Sequence, residues 1–162
     1  MKTPVLKTPR LTLRPYVEAD RAFAVTFFGL KEIFLHSSTG ALAPEAANAL
    51  FDKIPPVYRE GRFCVWIVEE DDEPVGHAEL KPRAGEDGLE LVYFLAPEAQ
   101  GRGLGSELVA ALTAHGSSLV RRLIATVHPD NHRSTRVLER HGFRLWKRTT
   151  GDDGETLWFS RP

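Results

Sequence analysis

Residues 100–106, Gln-Gly-Arg-Gly-Leu-Gly-Ser, place three glycines in five positions between an apolar run and an amphipathic one. Glycine weakens a helix interior by about 1 kcal/mol relative to alanine. A cluster of them at a helix start therefore points to something that approaches the backbone closely. A strand, a glycine-rich turn and a helix start make an anion site by geometry. The first helical turn leaves four N–H groups without partners, and the helix macrodipole adds positive potential. The chemistry on offer is the holding of phosphate by main-chain amides of residues 101–106. Gly101 and Gly103 lack the Cβ atoms that would keep an oxygen away. Arg102 is a candidate ion-pair partner, with a solvated arginine as the alternative.

Two familiar phosphate loops do not fit. A P-loop ends in Gly-Lys-Ser/Thr, whereas Gly105 is followed by Ser106 and Glu107. A dinucleotide fingerprint has a third glycine where Ser106 stands and an acid about 20 residues further on. No acid lies between Glu107 and Asp130. A purely structural glycine cluster remains as an alternative.

The loop must be held by elements that the periodicities outline. Residues 10–14 alternate apolar and polar, as a half-buried strand does. Helical spacing follows to Gly29, and again from Pro44, interrupted at Pro55-Pro56. Three strand signals joined by turns, residues 62–70, 73–83 and 88–97, predict an antiparallel meander. After the glycines, Leu104, Leu108, Ala111, Leu112 and His115 fall on one helix face. A strand at 122–128 is then parallel to its predecessor in the sheet, because a helix connects the two. Residues 131–142 read as a second helix stopped by Gly142, and 143–161 as a hairpin around Gly-Asp-Asp-Gly. The sum is an α/β (mixed α+β) protein: a mixed, largely antiparallel sheet of about seven strands, with four or so helices on its faces. Trp66, Trp146 and Trp158 are expected in the core.

With these elements in place, the segment Gln-Gly-Arg-Gly-Leu-Gly resembles the Q/R-x-x-G-x-G/A pyrophosphate loop of the GNAT superfamily of acyl-CoA N-acyltransferases. Its neighbours match in order. "ELVYFLAPEAQGRGLGSEL" is similar to that superfamily's fourth strand, loop and third helix. "HPDNHRSTRVLERHGF" is similar to the following N-x-x-S helix with its Gly-Phe ending. "TPRLTLRPYVEAD" resembles the start of the RimJ/RimL branch, the ribosomal-protein N-terminal acetyltransferases. The resemblance spans nearly the whole chain. It implies a GNAT-like fold with a splayed fourth and fifth strand pair, and acetyl-CoA as co-substrate with no metal.

The resemblance also implies roles. Gln100, Gly101, Arg102, Gly103, Leu104, Gly105 and Ser106 would hold the cofactor's phosphates. Backbone groups of Phe94, Leu95 and Ala96 would bind the pantetheine and polarise the thioester, with Pro97 helping to end the strand pairing. Glu90 is the candidate general base. It is the only acid in an apolar strand, and apolar burial would raise its pKa toward a useful value. Glu79 and His77 are the next candidates. Asn131 would contact the cofactor, or cap its helix, or both. Many members of the superfamily carry a tyrosine on the fourth helix as general acid; this chain has none there, and Ser134 could substitute. His141, before Gly-Phe, marks either a packing change or the cofactor channel. His128 and His132 are separated by Pro129 and lack a third metal ligand.

The totals restrict the alternatives. The 162 residues fit one domain, 1–162, and the net charge of -1 gives no sign of a nucleic-acid or membrane partner. The amino terminus has no apolar leader, no run approaches the ~20 apolar residues of a membrane span, and Cys64 is the only cysteine. A cytoplasmic location is expected. Residues 69–90 carry nine acids against two bases, and residues 100–148 nine Arg or Lys against three acids. The first segment suits a cationic acceptor and the second an anionic ligand. The reading is an N-acetyltransferase acting on a primary amine, of a peptide or protein N-terminus or of a small molecule. It leaves a homodimer open, and a non-catalytic acyl-CoA-binding module is the alternative.

Overall fold

The computed structural model describes residues 1–37 and 39–162. The chain runs β1 (Leu6–Lys7), β2 (Leu11–Arg14), α1 (Arg21–Phe28), α2 (Lys31–Phe34), α3 (Pro44–Phe51), α4 (Ile54–Glu60), β3 (Cys64–Glu70), β4 (Glu73–Pro82), β5 (Leu89–Leu95), α5 (Leu104–Leu119), β6 (Leu123–Val127), α6 (His132–Arg140), β7 (Arg144–Gly151) and β8 (Gly154–Arg161). All eight strands form one sheet in the order β1-β2-β3-β4-β5-β6-β8-β7. The strand beyond the expected seven is β1, two residues long. The helix expected from Pro44 is divided at Asp52–Lys53, just ahead of Pro55-Pro56, because proline is tolerated in a first turn and not in an interior. Among the described residues no helix is long and apolar enough to cross a membrane.

The sheet separates two cores. In β3, Trp66 and Val68 join Leu80, Leu104, Leu108, Leu112 and Phe159 on one face, under α5 and α6. Val65 and Ile67 join Phe27, Phe28, Phe34 and Phe51 on the other, under α1 to α4. The alternation follows from the two-residue period of a strand. With both faces covered, β3 is buried along nearly its whole length, so its sequence reads as a continuous apolar run. Trp66 and Trp158 are buried as expected. Trp146 is not: it stands 42% exposed at an irregular position of the edge strand β7. Its ring is covered by the Arg122 guanidinium, 3.8 Å from the centroid, and by Lys147 Nζ at 4.2 Å.

The meander β3-β4-β5 is antiparallel, and β5 pairs with β6 in parallel, as the connecting helix requires. That parallel ladder contains only Leu89 with Leu123 and Glu90 with Ile124. Beyond it the two strands part. Gly88 marks the closed end, where an ideal Cβ would lie 2.6 Å from the Arg122 carbonyl oxygen. At the other end of β5, Gly76 of β4 lets the strands approach: a Cβ there would lie 2.4 Å from Phe94 O and 3.0 Å from Leu95 Cδ2. Gly76→Ala should therefore cost about 1–3 kcal/mol and lower Tm by roughly 3–10 °C. Thermal melts followed by circular dichroism measure this, and an unchanged Tm would mean that β5 is free to shift at its end.

Candidate functional site

The end of β5 leads through a 3₁₀ turn, Pro97–Ala99, into the glycine loop and α5. Gly101 and Gly103 have φ of +79° and +82°, a region that side-chain-bearing residues rarely adopt. An added Cβ at Gly101 would meet nothing within 4 Å, and at Gly103 only Arg10 Nη2 at 3.4 Å. The glycines thus leave open space above the backbone, as a loop that seats an external group should. Gly103 is the N-cap of α5 and supplies no side-chain cap, and the first intrahelical bond is Glu107 N–H to Gly103 O. The N–H groups of Leu104, Gly105 and Ser106 have no hydrogen-bond acceptor among the described residues and face the start of the helix. The Leu104 side chain is fully buried in the core, so only its amide is available to a ligand.

A cleft runs along this loop, from Leu95 through Gln100 to Ser106, and its facing wall is Arg133, Val137 and Arg140 of α6. The two arginines and the first-turn amides make it positive, which suits a diphosphate. Arg102 does not contribute its charge: its guanidinium turns away and pairs with both oxygens of Glu70 at 2.7 Å. Sequence reading missed Arg133 and Arg140. Their signal was the i, i+4, i+7 spacing of residues 133, 137 and 140 on one helix face. A more open depression at the far end of α5, around Ser117 and Arg161, offers no first-turn amides.

The parting of β5 from β6 continues this cleft into the sheet. Ala96 N–H donates to Val75 O at 2.7 Å. In an antiparallel pair, backbone groups facing one neighbour recur at every second residue, so Phe94 also turns its groups toward β4. The expectation that Phe94, Leu95 and Ala96 all present free groups is corrected: the groups facing the gap are those of Leu95 and Tyr93. The Leu95 carbonyl accepts from Gln100 Nε2 at 3.0 Å, and Gln100 Oε1 accepts from Arg133 Nη1 at 2.7 Å. Gln100 thus links the strand end to α6.

Glu90 lies at the closed end of the gap, on the face it shares with Phe94. It is buried but not surrounded by apolar groups alone. Arg83 Nη1 is 3.0 and 3.1 Å from its two oxygens, and the Thr126 hydroxyl donates to it at 2.7 Å. On the same face Tyr16 Oη meets His77 Nδ1 at 2.9 Å, His77 Nε2 meets Glu79 Oε1 at 3.0 Å, and Lys81 Nζ is 2.8 Å from Glu79 Oε2. Burial pushes the Glu79 carboxyl up, but the hydrogen bond and charge of His77 together with Lys81 outweigh it and hold the group at about 2.

On α6, Asn131 is the N-cap, and its Oδ1 accepts from Ser134 N–H at 3.2 Å. Ser134 Oγ is 2.5 Å from Tyr93 Oη. His141 caps the other end of α6 and meets Ser106 Oγ through Nε2 at 2.8 Å. It therefore touches the loop wall of the cleft. Burial holds its pKa below the usual histidine value, against the Ser106 contact. His128 stacks on His36 with ring centroids 4.2 Å apart and accepts the Asp130 N–H at Nδ1. Neither belongs to a metal-binding group among the described residues.

Five of the nine acids in the segment 69–90 are paired with a basic side chain within the chain. Glu69 pairs with Arg14, Glu70 with Arg102, Glu79 with Lys81, Glu86 with Lys147 and Glu90 with Arg83. Its composition therefore overstates the negative charge it presents.

Comparison with known proteins bears on the family and the fold. Residues 10–144 match the family described as the acetyltransferase (GNAT) domain. The uncharacterized N-acetyltransferase YnaD of Bacillus subtilis (strain 168) is 27% identical over 141 residues, covering 86% of this chain and 82% of that protein. The crystal structure of an acetyltransferase (GNAT family) from Bacillus anthracis shares the fold with a TM-score of 0.82 at 20% identity, over 98% of both chains. RimL, a ribosomal L7/L12 alpha-N-protein acetyltransferase solved in complex with coenzyme A, does so with a TM-score of 0.83 at 17% identity, covering 98% of this chain and 97% of its own.

The depressed pKa of Glu79 has a stability consequence. Its stabilising contribution is complete above the ordinary value of 4.5 and is lost as pH falls toward about 2. The Tm advantage of wild type over Glu79→Gln should therefore shrink across that window and be nearly gone at its lower end. Melting curves at stepped pH test this; a constant difference would mean that the carboxylate's charge contributes nothing.

Proposed function

The chain belongs to the GNAT acetyltransferase family and is an acyltransferase, and on that footing we propose that it transfers the acetyl group of acetyl-CoA to the primary α-amine of a peptide or protein, by direct attack in a ternary complex. The observation that carries the reading is the meeting of two features in one cleft: a helix start with unpartnered amides, and a strand flank with unpaired backbone groups. The first suits a diphosphate and the second an extended chain of amides ending in a thioester. The likeness in fold to RimL supports a polypeptide N-terminus as acceptor.

Acetyl-CoA would supply an activated acyl carbon with a thiolate leaving group. The amides of residues 104–106, with Arg133 and Arg140 opposite, would hold its phosphates. Gly101 and Gly103 leave the room for them. The Leu95 N–H faces the gap and would donate to the thioester oxygen as negative charge develops there. Alkyl ammonium groups titrate near pH 10 and must lose a proton before attack. Glu90 is too deeply buried for direct contact with a polypeptide amine. Thr126, half-buried and bonded to Glu90 Oε1, would pass the proton to it, with Arg83 holding the carboxylate in place. Ser134 would give a proton to the departing sulfur.

Two variants separate binding from chemistry. Gly103→Val should weaken acetyl-CoA binding at least tenfold in calorimetry, and unchanged affinity in a folded variant would overturn the assignment of the cleft. Glu90→Gln should bind acetyl-CoA as wild type does, while kcat for thiol release with an acceptor peptide falls by about 10²–10⁴. Turnover with small amines but with no peptide N-terminus would reassign the acceptor.

A further inference from the structure

Next to residues that line the cleft, two hydroxyls carried by different elements meet. Tyr93 precedes Leu95 by two residues on β5, and Ser134 follows Arg133 by one on α6; Leu95 and Arg133 both line the cleft. The 2.5 Å contact of Tyr93 Oη with Ser134 Oγ therefore joins the open flank of β5 to the helix that faces it.

Either hydroxyl can donate in this contact, and the two directions leave different protons free. A phenol and a serine hydroxyl carry one each, and both oxygens can accept. Tyr93 Oη has no other hydrogen-bond partner among the described residues. If Ser134 donated to it, the proton left free would be that of the half-buried phenol. If Tyr93 donates, its proton is satisfied, and the Ser134 proton is free to point along the cleft. Burial pushes the Tyr93 phenol up to about 12, against the effect of the Ser134 bond, so it stays a donor across the neutral range.

We propose that Tyr93 is a positioning residue for acetyl transfer: its O–H donates to Ser134 Oγ and thereby aims the Ser134 proton at the departing sulfur. The inference rests on the role given above to Ser134. The amine nitrogen bonds to the acetyl carbon, and the carbon–sulfur bond breaks with its electron pair on sulfur. Ser134 gives its proton to that sulfur and takes the Tyr93 proton through the existing hydrogen bond. Water returns a proton to the phenolate, and the proton lost by the amine leaves through Thr126 and Glu90. A phenol on strand β5 thus stands in for one that α6 lacks.

The test compares Tyr93→Phe, Ser134→Ala and the double variant in the full chain, with kcat and KM from thiol release and acetyl-CoA Kd from calorimetry. Tyr93→Phe should lower kcat about ten- to a hundredfold, at or below the lower bound for a group that transfers a proton directly, with Kd unchanged. The double variant should be no slower than Ser134→Ala, because the two act as one unit. Full kcat in Tyr93→Phe alongside a slow Ser134→Ala would overturn the role of Tyr93 and leave that of Ser134 standing. Full kcat in Ser134→Ala would overturn both. If Tyr93→Phe fails to fold, 3-fluorotyrosine at Tyr93 keeps the ring and hydroxyl but makes the phenol more acidic. The basic limb of the kcat pH profile should then move to lower pH, and an unmoved limb would leave Tyr93 with packing alone.

Discussion

The site depends on a sheet that stops pairing. β5 and β6 share a ladder at only two positions, although both strands continue beyond it, and unpaired backbone groups inside a protein are costly. The gap persists because its closed end is pinned and its open end is bridged. At the closed end Leu89 N–H donates to Arg122 O at 3.2 Å, where glycine at residue 88 allows the close approach. At the open end, side chains rather than strand partners engage β5: Gln100 covers the Leu95 carbonyl, and Tyr93 reaches Ser134. A ligand that brings its own amides into the gap would complete what the ladder leaves undone.

Charge is arranged around this gap by pairing rather than by excess. Five of the nine carboxylates in residues 69–90 are matched to arginine or lysine, and Arg14, Arg102 and Lys147 reach them from distant parts of the chain. Arg14, for example, holds both Asp20 and Glu69. The carboxylates of these pairs are mostly shielded from solvent while their cationic partners stay partly exposed. Their effect is to offset charge on that face of the sheet and to fix side chains. On the opposite side, Arg140 lines the cleft with no acid paired to it among the described residues, and Arg133 meets only the neutral Gln100 amide. That wall keeps a positive potential for an anion. One wall of the cleft is thus set by unpaired positive charge, and the sheet face around Glu90 by a few buried polar groups.

Much of the fold was legible in the chain. Period-two and helical patterns located the strands and main helices, and the helix between the fifth and sixth strands dictated their parallel pairing. Gly101 and Gly103 marked a backbone path with positive φ that a side-chain-bearing residue does not take easily. Other features were not legible because they depend on distances between remote residues. Nothing local distinguishes Arg102, turned toward Glu70, from Arg133, turned into the cleft. Trp146 has the composition of a core residue, yet an irregularity in β7 places it outside. Glu90 reads as an acid among apolar neighbours, because Arg83 and Thr126 reach it from a turn and from another strand.

By itself the sequence determined the order of elements, the glycine path at the start of α5 and the membership of the chain in an acyltransferase family. These follow from local conformational preference and from motifs a few residues long. Only the tertiary structure decided which backbone groups of β5 face the gap, since that depends on its hydrogen-bond phase against β4. It also decided that Tyr93 and Ser134, 41 positions apart, meet as one pair. The reason is physical: a hydrogen bond needs its donor and acceptor within about 3 Å, and only the packing of α6 against the sheet sets that distance.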